Sequence, residues 1–135
     1  MRRAAVGAVA LVLAVAAPAL GSFRDTAKAA STLATTQLAA PTGLTAVAGC
    51  NLVVPKVTLS WTATTTTFAT GYDVYRGVGA GTQTLLTTLS PRTVTSYVDN
   101  TVALLTSYTY SVRTRFASWS KASSNASAST PVLCL

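Results

Sequence analysis

Along most of the chain, apolar and hydroxyl-bearing residues alternate in short runs separated by turn residues about every ten positions, which predicts strands and no long helix. The clearest run is Val57-Thr58-Leu59-Ser60-Trp61-Thr62, in which Val57, Leu59 and Trp61 share one face and the hydroxyls take the other. Tyr72-Asp73-Val74-Tyr75-Arg76 repeats the pattern, with Tyr72 and Val74 inward and Asp73 and Tyr75 outward. Tyr108 to Arg115 alternates strictly, so Tyr108, Tyr110 and Val112 face the core while Arg113 and Arg115 face out. Leu44 and Ala46 begin a first strand, Thr84 to Leu89 forms a weaker two-sided one, and Val94 to Val98 supplies another. The stretch from Ser124 to Val132 is small and polar, which suits an edge strand where Pro131 does least harm. Seven half-buried strands in this span describe an all-β, antiparallel, immunoglobulin-like sandwich of two sheets.

The first thirty residues follow a different rule. Met1-Arg2-Arg3 is a cationic start, and Ala4 to Leu20 is small, apolar and uncharged. That order is the layout of a secretory signal, with small residues for a peptidase at Gly21-Ser22 and again at Ala27-Lys28-Ala29. An uncleaved membrane anchor is the competing reading, although the run is Ala-dominated, ends at Pro18 and falls short of the roughly twenty residues that a span needs. Leu20 to Thr26 (LGSFRDT) resembles the junction of SipW-type signal peptides, with Arg24 where that pattern has a small polar residue. Residues 31–40 carry no apolar period and lead to Pro41, which reads as a linker. The expected organisation is a signal segment or anchor over 1–30, a linker over 31–40 and one domain over 41–135.

The whole chain has a net charge of +7 and a mean hydropathy of +0.45, and the N-terminal segment inflates both. Beyond residue 30 the cations are Lys56, Arg76, Arg92, Arg113, Arg115 and Lys121, against Asp73 and Asp99. These cations are scattered, whereas nucleic-acid binding needs them gathered on one face, so no nucleic acid is expected as a partner. With no His, no Glu and three Asp in 135 residues, acid–base catalysis has almost no material, and no Ser or Thr has a base to activate it. Asp73 and Asp99 fall on different elements, which argues against a glycosidase-like carboxylate pair. The chain is therefore expected not to be an enzyme and to hold no cofactor and no metal. Gly77, Gly79 and Gly81 are followed by Thr-rich β sequence without Lys or a helix, so they read as a hairpin connection and not a phosphate loop. Cys50 and Cys134 flank nearly the whole domain, and in an exported chain without His they are expected to form a structural disulfide.

Taken in order, Ala40-Pro41-Thr42-Gly43-Leu44, Val57-x-Leu59-x-Trp61, Gly71-Tyr72-x-Val74-Tyr75-Arg76, Ser96-Tyr97-x-Asp99, and Val102 six residues before Tyr108 resemble a bacterial fibronectin type III domain. The likeness runs from Pro41 to Val132. It implies a core role for Trp61 and a tyrosine-corner role for Tyr108, whose hydroxyl would bond nearby backbone. Val102 stands where the family has Leu, and the family's crossover Gly or Pro is missing between Ala103 and Ser107. In that topology the end of the first strand meets the end of the last, which would bring Cys50 and Cys134 together.

Candidate binding groups are the large side chains placed outside the core. Trp119 is expected in a turn between the last two strands, and Tyr75, Arg113 and Arg115 on an outer strand face beside Asp73. The bland alternatives are Trp119 folded over the sandwich end, and an Asp73–Arg pair with Arg stems covering Tyr75. Asn125-Ala126-Ser127 fits a glycosylation sequon, whose use does not match the bacterial character of the chain. The sequence thus points to a secreted or cell-surface, non-catalytic module for adhesion, matrix assembly or spacing, with protein or cell-wall polysaccharide as the partner. Two alternatives stand beside it. One is a carbohydrate-binding accessory module, and the other a pilin-like assembly subunit anchored by its N-terminal segment, the only part of the chain expected to touch a membrane.

Overall fold

The computed structural model of the protein describes residues 37–135. The expectations for the signal segment, the anchor, the SipW-like junction and most of the linker lie outside the described residues. Strands β1 (Thr42–Asn51), β2 (Val54–Thr62), β3 (Gly71–Val78), β4 (Thr84–Leu89), β5 (Ser96–Asp99), β6 (Ser107–Phe116), β7 (Trp119–Ala122) and β8 (Ala126–Ser129) make up the regular structure. They form two antiparallel sheets, β1-β2-β5 and β4-β3-β6-β7, with β8 also paired to β6. Alternation decides the facing. Val57, Leu59 and Trp61 of β2 are buried against Tyr72 and Val74 of β3 and Tyr108, Tyr110 and Val112 of β6.

The structure departs from the sequence-based expectation in three places. The last strand is made in two pieces, β7 and β8, so Trp119 opens a strand and the turn shrinks to Ala117-Ser118. The break has a local cause. Across Val112 the Ser123 hydroxyl accepts the Val112 N–H at 3.0 Å, standing in for a ladder carbonyl, while the Ser123 N–H donates to the Val112 carbonyl. Pairing then resumes with Ala126 opposite Tyr110. The strand expected at Val94 to Val98 lies at Ser96–Asp99, because the Val94 N–H is spent in a turn, donating to the Pro91 carbonyl at 3.1 Å. Finally, the domain edge lies at Leu38, ahead of Pro41. Leu38 is buried, and Ala39 exchanges hydrogen bonds with the hydroxyls of Thr64 and Thr66.

Geometry requires glycine at several positions, Gly71 and Gly79 among them. Gly71 opens β3 where the Leu89 carbonyl oxygen occupies the place of a Cβ, and Gly79 turns the β3–β4 hairpin at φ +56. The crossover without Gly or Pro is solved differently. Leu105 itself adopts φ 55, its N–H donates to the Pro131 carbonyl at 3.1 Å, and the Tyr108 hydroxyl accepts the Ala103 N–H at 3.0 Å.

Cys50, near the end of β1, is bonded to Cys134 with Cα atoms 5.7 Å apart, and no cysteine is left free. The closed loop spans 84 positions, so the bond constrains the unfolded chain by roughly 4 kcal/mol. Replacing both cysteines by Ser is expected to lower the unfolding free energy by about 2–5 kcal/mol in denaturant titrations. Unchanged stability, or free thiols in the purified, unreduced protein, would contradict this role.

Candidate functional site

The outer face of the five-membered sheet gathers the first candidate group. Register places Asp73 of β3 beside Arg113 of β6 and Thr88 of β4. Arg115 Nε lies 3.4 Å from Asp73 Oδ1, an ion pair without hydrogen-bond alignment, and the Thr88 hydroxyl donates to the same oxygen at 2.7 Å. Arg113 lays its guanidinium 4.0 Å from the Tyr75 ring centroid. Each of these groups is already engaged within the domain, by contacts worth roughly 1 kcal/mol apiece. The patch is half-buried and its charges are engaged within the domain, although Arg113 Nε and Arg115 Nε lack hydrogen-bond partners, which fits a structural ladder better than an open ligand site.

Trp119 belongs to a different surface. It pairs with Phe116 across the β6–β7 hairpin, whereas Arg115 pairs with Ser120. Successive residues of a strand face opposite ways, so Trp119 and Phe116 lie on the side away from Arg113 and Arg115. Phe116 meets Phe68 of the β2–β3 connection edge-to-face at 5.0 Å. Trp119 remains 58% exposed beside them. The two candidate surfaces are therefore separate, and the aromatic one has no charge on its three rings to satisfy.

A third constellation escaped the sequence reading. Asp99, at the end of β5, is fully buried at the core edge. Its Oδ2 accepts from Arg76 Nη1 at 2.8 Å and from the Tyr110 hydroxyl at 3.0 Å. Its Oδ1 accepts the Thr101 N–H at 2.9 Å and the Thr101 hydroxyl at 2.7 Å, and Arg76 reaches back to that hydroxyl at 2.8 Å and covers the Tyr108 ring. Burial pushes the Asp99 pKa up, but the Thr101, Arg76 and Tyr110 hydrogen bonds outweigh it and hold the carboxyl below its usual range. Burial and the neighbouring carboxylate push Tyr110 up, so it stays a hydroxyl donor. The one legible signal was Asp99-x-Thr101, an acid followed two residues later by a hydroxyl, which caps its own turn. The network is saturated internally and reads as an inter-sheet clamp.

The geometry can be set beside known proteins. No protein-family model matches the chain. A solved Fn3-like protein from Clostridium thermocellum is 31% identical and superposes with a TM-score of 0.58, over 71% of this chain and 96% of that one. The chain belongs to the fibronectin type III family. FN3tt, at 17% identity and TM-score 0.57 over 72% of the chain and 99% of its own length, shares the fold. So does a β-1,2-glucanase from Parabacteroides distasonis, at 19% identity and TM-score 0.51, over 71% of this chain and 14% of that one. Exoglucanase B of Cellulomonas fimi is 40% identical over 80 residues, which are 58% of the chain and 6% of that enzyme's length. This fibronectin type III chain thus spans a small fraction of the curated relative it matches. Its disulfide and relatives suit an extracellular module.

The Asp99 clamp sets an acid limit on stability. Because the folded carboxyl has a depressed pKa, its contribution is complete above the unfolded value of about 4 and is lost as pH falls through the folded value. Asp99→Ala is expected to cost about 3–5 kcal/mol at pH 7 by leaving Arg76 and Tyr110 without their acceptor, and to flatten the acid limb of a stability–pH profile. An unchanged acid limb in the variant would contradict the clamp.

Proposed function

We propose that this fibronectin type III domain is a non-catalytic module for spacing or adhesion alongside proteins that act on polysaccharide outside the cell. The observation that carries the reading is the 40% identity with a stretch of Exoglucanase B. That stretch is domain-sized, a small part of an enzyme named for glucan hydrolysis, which is how a spacer beside a separate catalytic unit would match. The saturated Asp99 contacts support the absence of chemistry, since that carboxylate is not free to act as acid or base.

A second reading, that the domain itself holds polysaccharide, is favoured by Trp119. An exposed indole beside Phe116 and Phe68 offers a flat apolar surface of the kind that stacks on sugar-ring faces. Co-sedimentation of the wild type, Trp119→Ala and the triple Tyr75→Ala, Arg113→Ala, Arg115→Ala variant with insoluble cellulose and cell-wall polysaccharide separates the two readings. Polysaccharide contact predicts roughly tenfold weaker binding for Trp119→Ala at unchanged melting temperature, with the triple variant unaffected. Absence of wild-type binding removes the second reading and leaves the spacer. Release of reducing sugar by the purified domain would contradict the non-catalytic reading.

A further inference from the structure

The covalent path across the domain is much shorter than the chain. Tension entering at Leu38 reaches Cys50 along β1, crosses the bond to Cys134 and leaves at the exposed Leu135. Everything from Asn51 to Leu133 lies inside the loop that the bond closes. That loop holds β2 to β8, with the Trp61–Tyr72 contact, the Asp99 clamp and the rings of Phe68, Phe116 and Trp119.

The one strand on this path has little slack. β1 is already extended, at about 3.3 Å per residue against a ceiling of about 3.6 Å, so a pull on its two ends lengthens it by only a few ångströms and leaves its ladder with β2 in place. Register fixes where the load enters and leaves. Thr42 pairs with Thr62 at one end of β2 and Cys50 with Pro55 at the other, so the two points lie at opposite ends of the sandwich. The entry is fastened as well. Leu38 is buried, the Ala39 N–H donates to the Thr66 hydroxyl at 2.8 Å, and the Thr64 hydroxyl donates to the Ala39 carbonyl at 2.7 Å. Without the bond, the same tension leaves the fold through the residues beyond β8. It then pulls β1 from β2 and β8 from β6, and every strand between them joins the path.

We infer that the Cys50–Cys134 bond is a tension bypass, through which load applied across the domain runs along β1 and out, so that the sandwich keeps its length and its exposed surfaces under pull. The device is gated by thiols. A dithiol reductant that gives two electrons and two protons to the bond leaves two cysteine thiols, is itself oxidised to a disulfide, and frees the 84 closed positions to extend by roughly 300 Å. Tension across the domain presupposes the spacer reading, whereas the bypass is measured with no polysaccharide present, so either can fail without the other.

Single-molecule force spectroscopy of the full chain, held between handles fused before Met1 and after Leu135, tests it. The oxidised chain is expected to lengthen by less than about 30 Å beyond Leu38, and the chain reduced with dithiothreitol by roughly 300 Å, about tenfold more. The difference between the two states excludes any contribution from residues 1–36. Ten Gly-Ser residues inserted between Gly79 and Ala80, inside the closed loop, should leave the oxidised record unchanged and add about 35 Å to the reduced one. Dithiothreitol added to the oxidised chain at a force that the reduced chain withstands should give no long step until the force is raised. An immediate step of roughly 300 Å would mean a sandwich already unfolded behind the bond, and would overturn the inference. So would a long extension of the oxidised chain, a reduced chain that lengthens no more than the oxidised one, or an oxidised record that grows with the insertion.

Discussion

Trp61 of β2 sets its indole edge-on against the Tyr72 ring of β3, with centroids 5.5 Å apart, and the two sheets are held face to face around this contact. Tyr72 has a polar role as well. Its hydroxyl accepts the Thr64 N–H and donates to the Arg92 carbonyl, both at 2.8 Å, which fastens the connections on either side of the core. Val57, Leu59, Val74, Tyr110 and Val112 fill the space around the pair because each lies an even number of residues from it or from Thr114, the residue opposite Tyr72. The indole Nε1–H is buried without a partner, so the packing value of Trp61 is high enough to outweigh a lost hydrogen bond.

The same alternation explains what could be read without coordinates. β2, β3 and β6 are legible because large apolar residues alternate with hydroxyl or charged ones, and a slip of one residue would turn Trp61 or Tyr110 to water. The last strand is not legible in detail. Ser and Ala give no facing signal from Ala122 to Ser129, and the break at Ser123 depends on a hydroxyl replacing a backbone acceptor. The burial of Asp99 was hidden for another reason. Arg76 stands 23 positions away in sequence and in the other sheet, and only the packing of the two sheets brings it to the carboxylate. The separation of Trp119 from the Arg113 and Arg115 face likewise follows from Trp119 opening a strand and not resting in a turn.

The domain therefore presents two unlike ends and quiet flanks. One end offers the aromatic rings of Phe68, Phe116 and Trp119 on the β2–β3 and β6–β7 connections. The other offers aliphatic side chains locked by the disulfide and by crossover hydrogen bonds. The flank between them is a ladder of internally paired groups, Asp73 with Arg115 and Arg113 with Tyr75. Such a distribution suits a module that works by what it touches at its ends, with the Trp61–Tyr72 core keeping those ends at a fixed separation.

The inter-sheet packing of Trp61, and not the exposed flank, carries the stability of the domain. Denaturant unfolding of Trp61→Ala beside Arg115→Ala tests it most directly. The expected loss is about 3–5 kcal/mol for the first and less than about 1 kcal/mol for the second. Equal losses, or a larger one for Arg115→Ala, would contradict it.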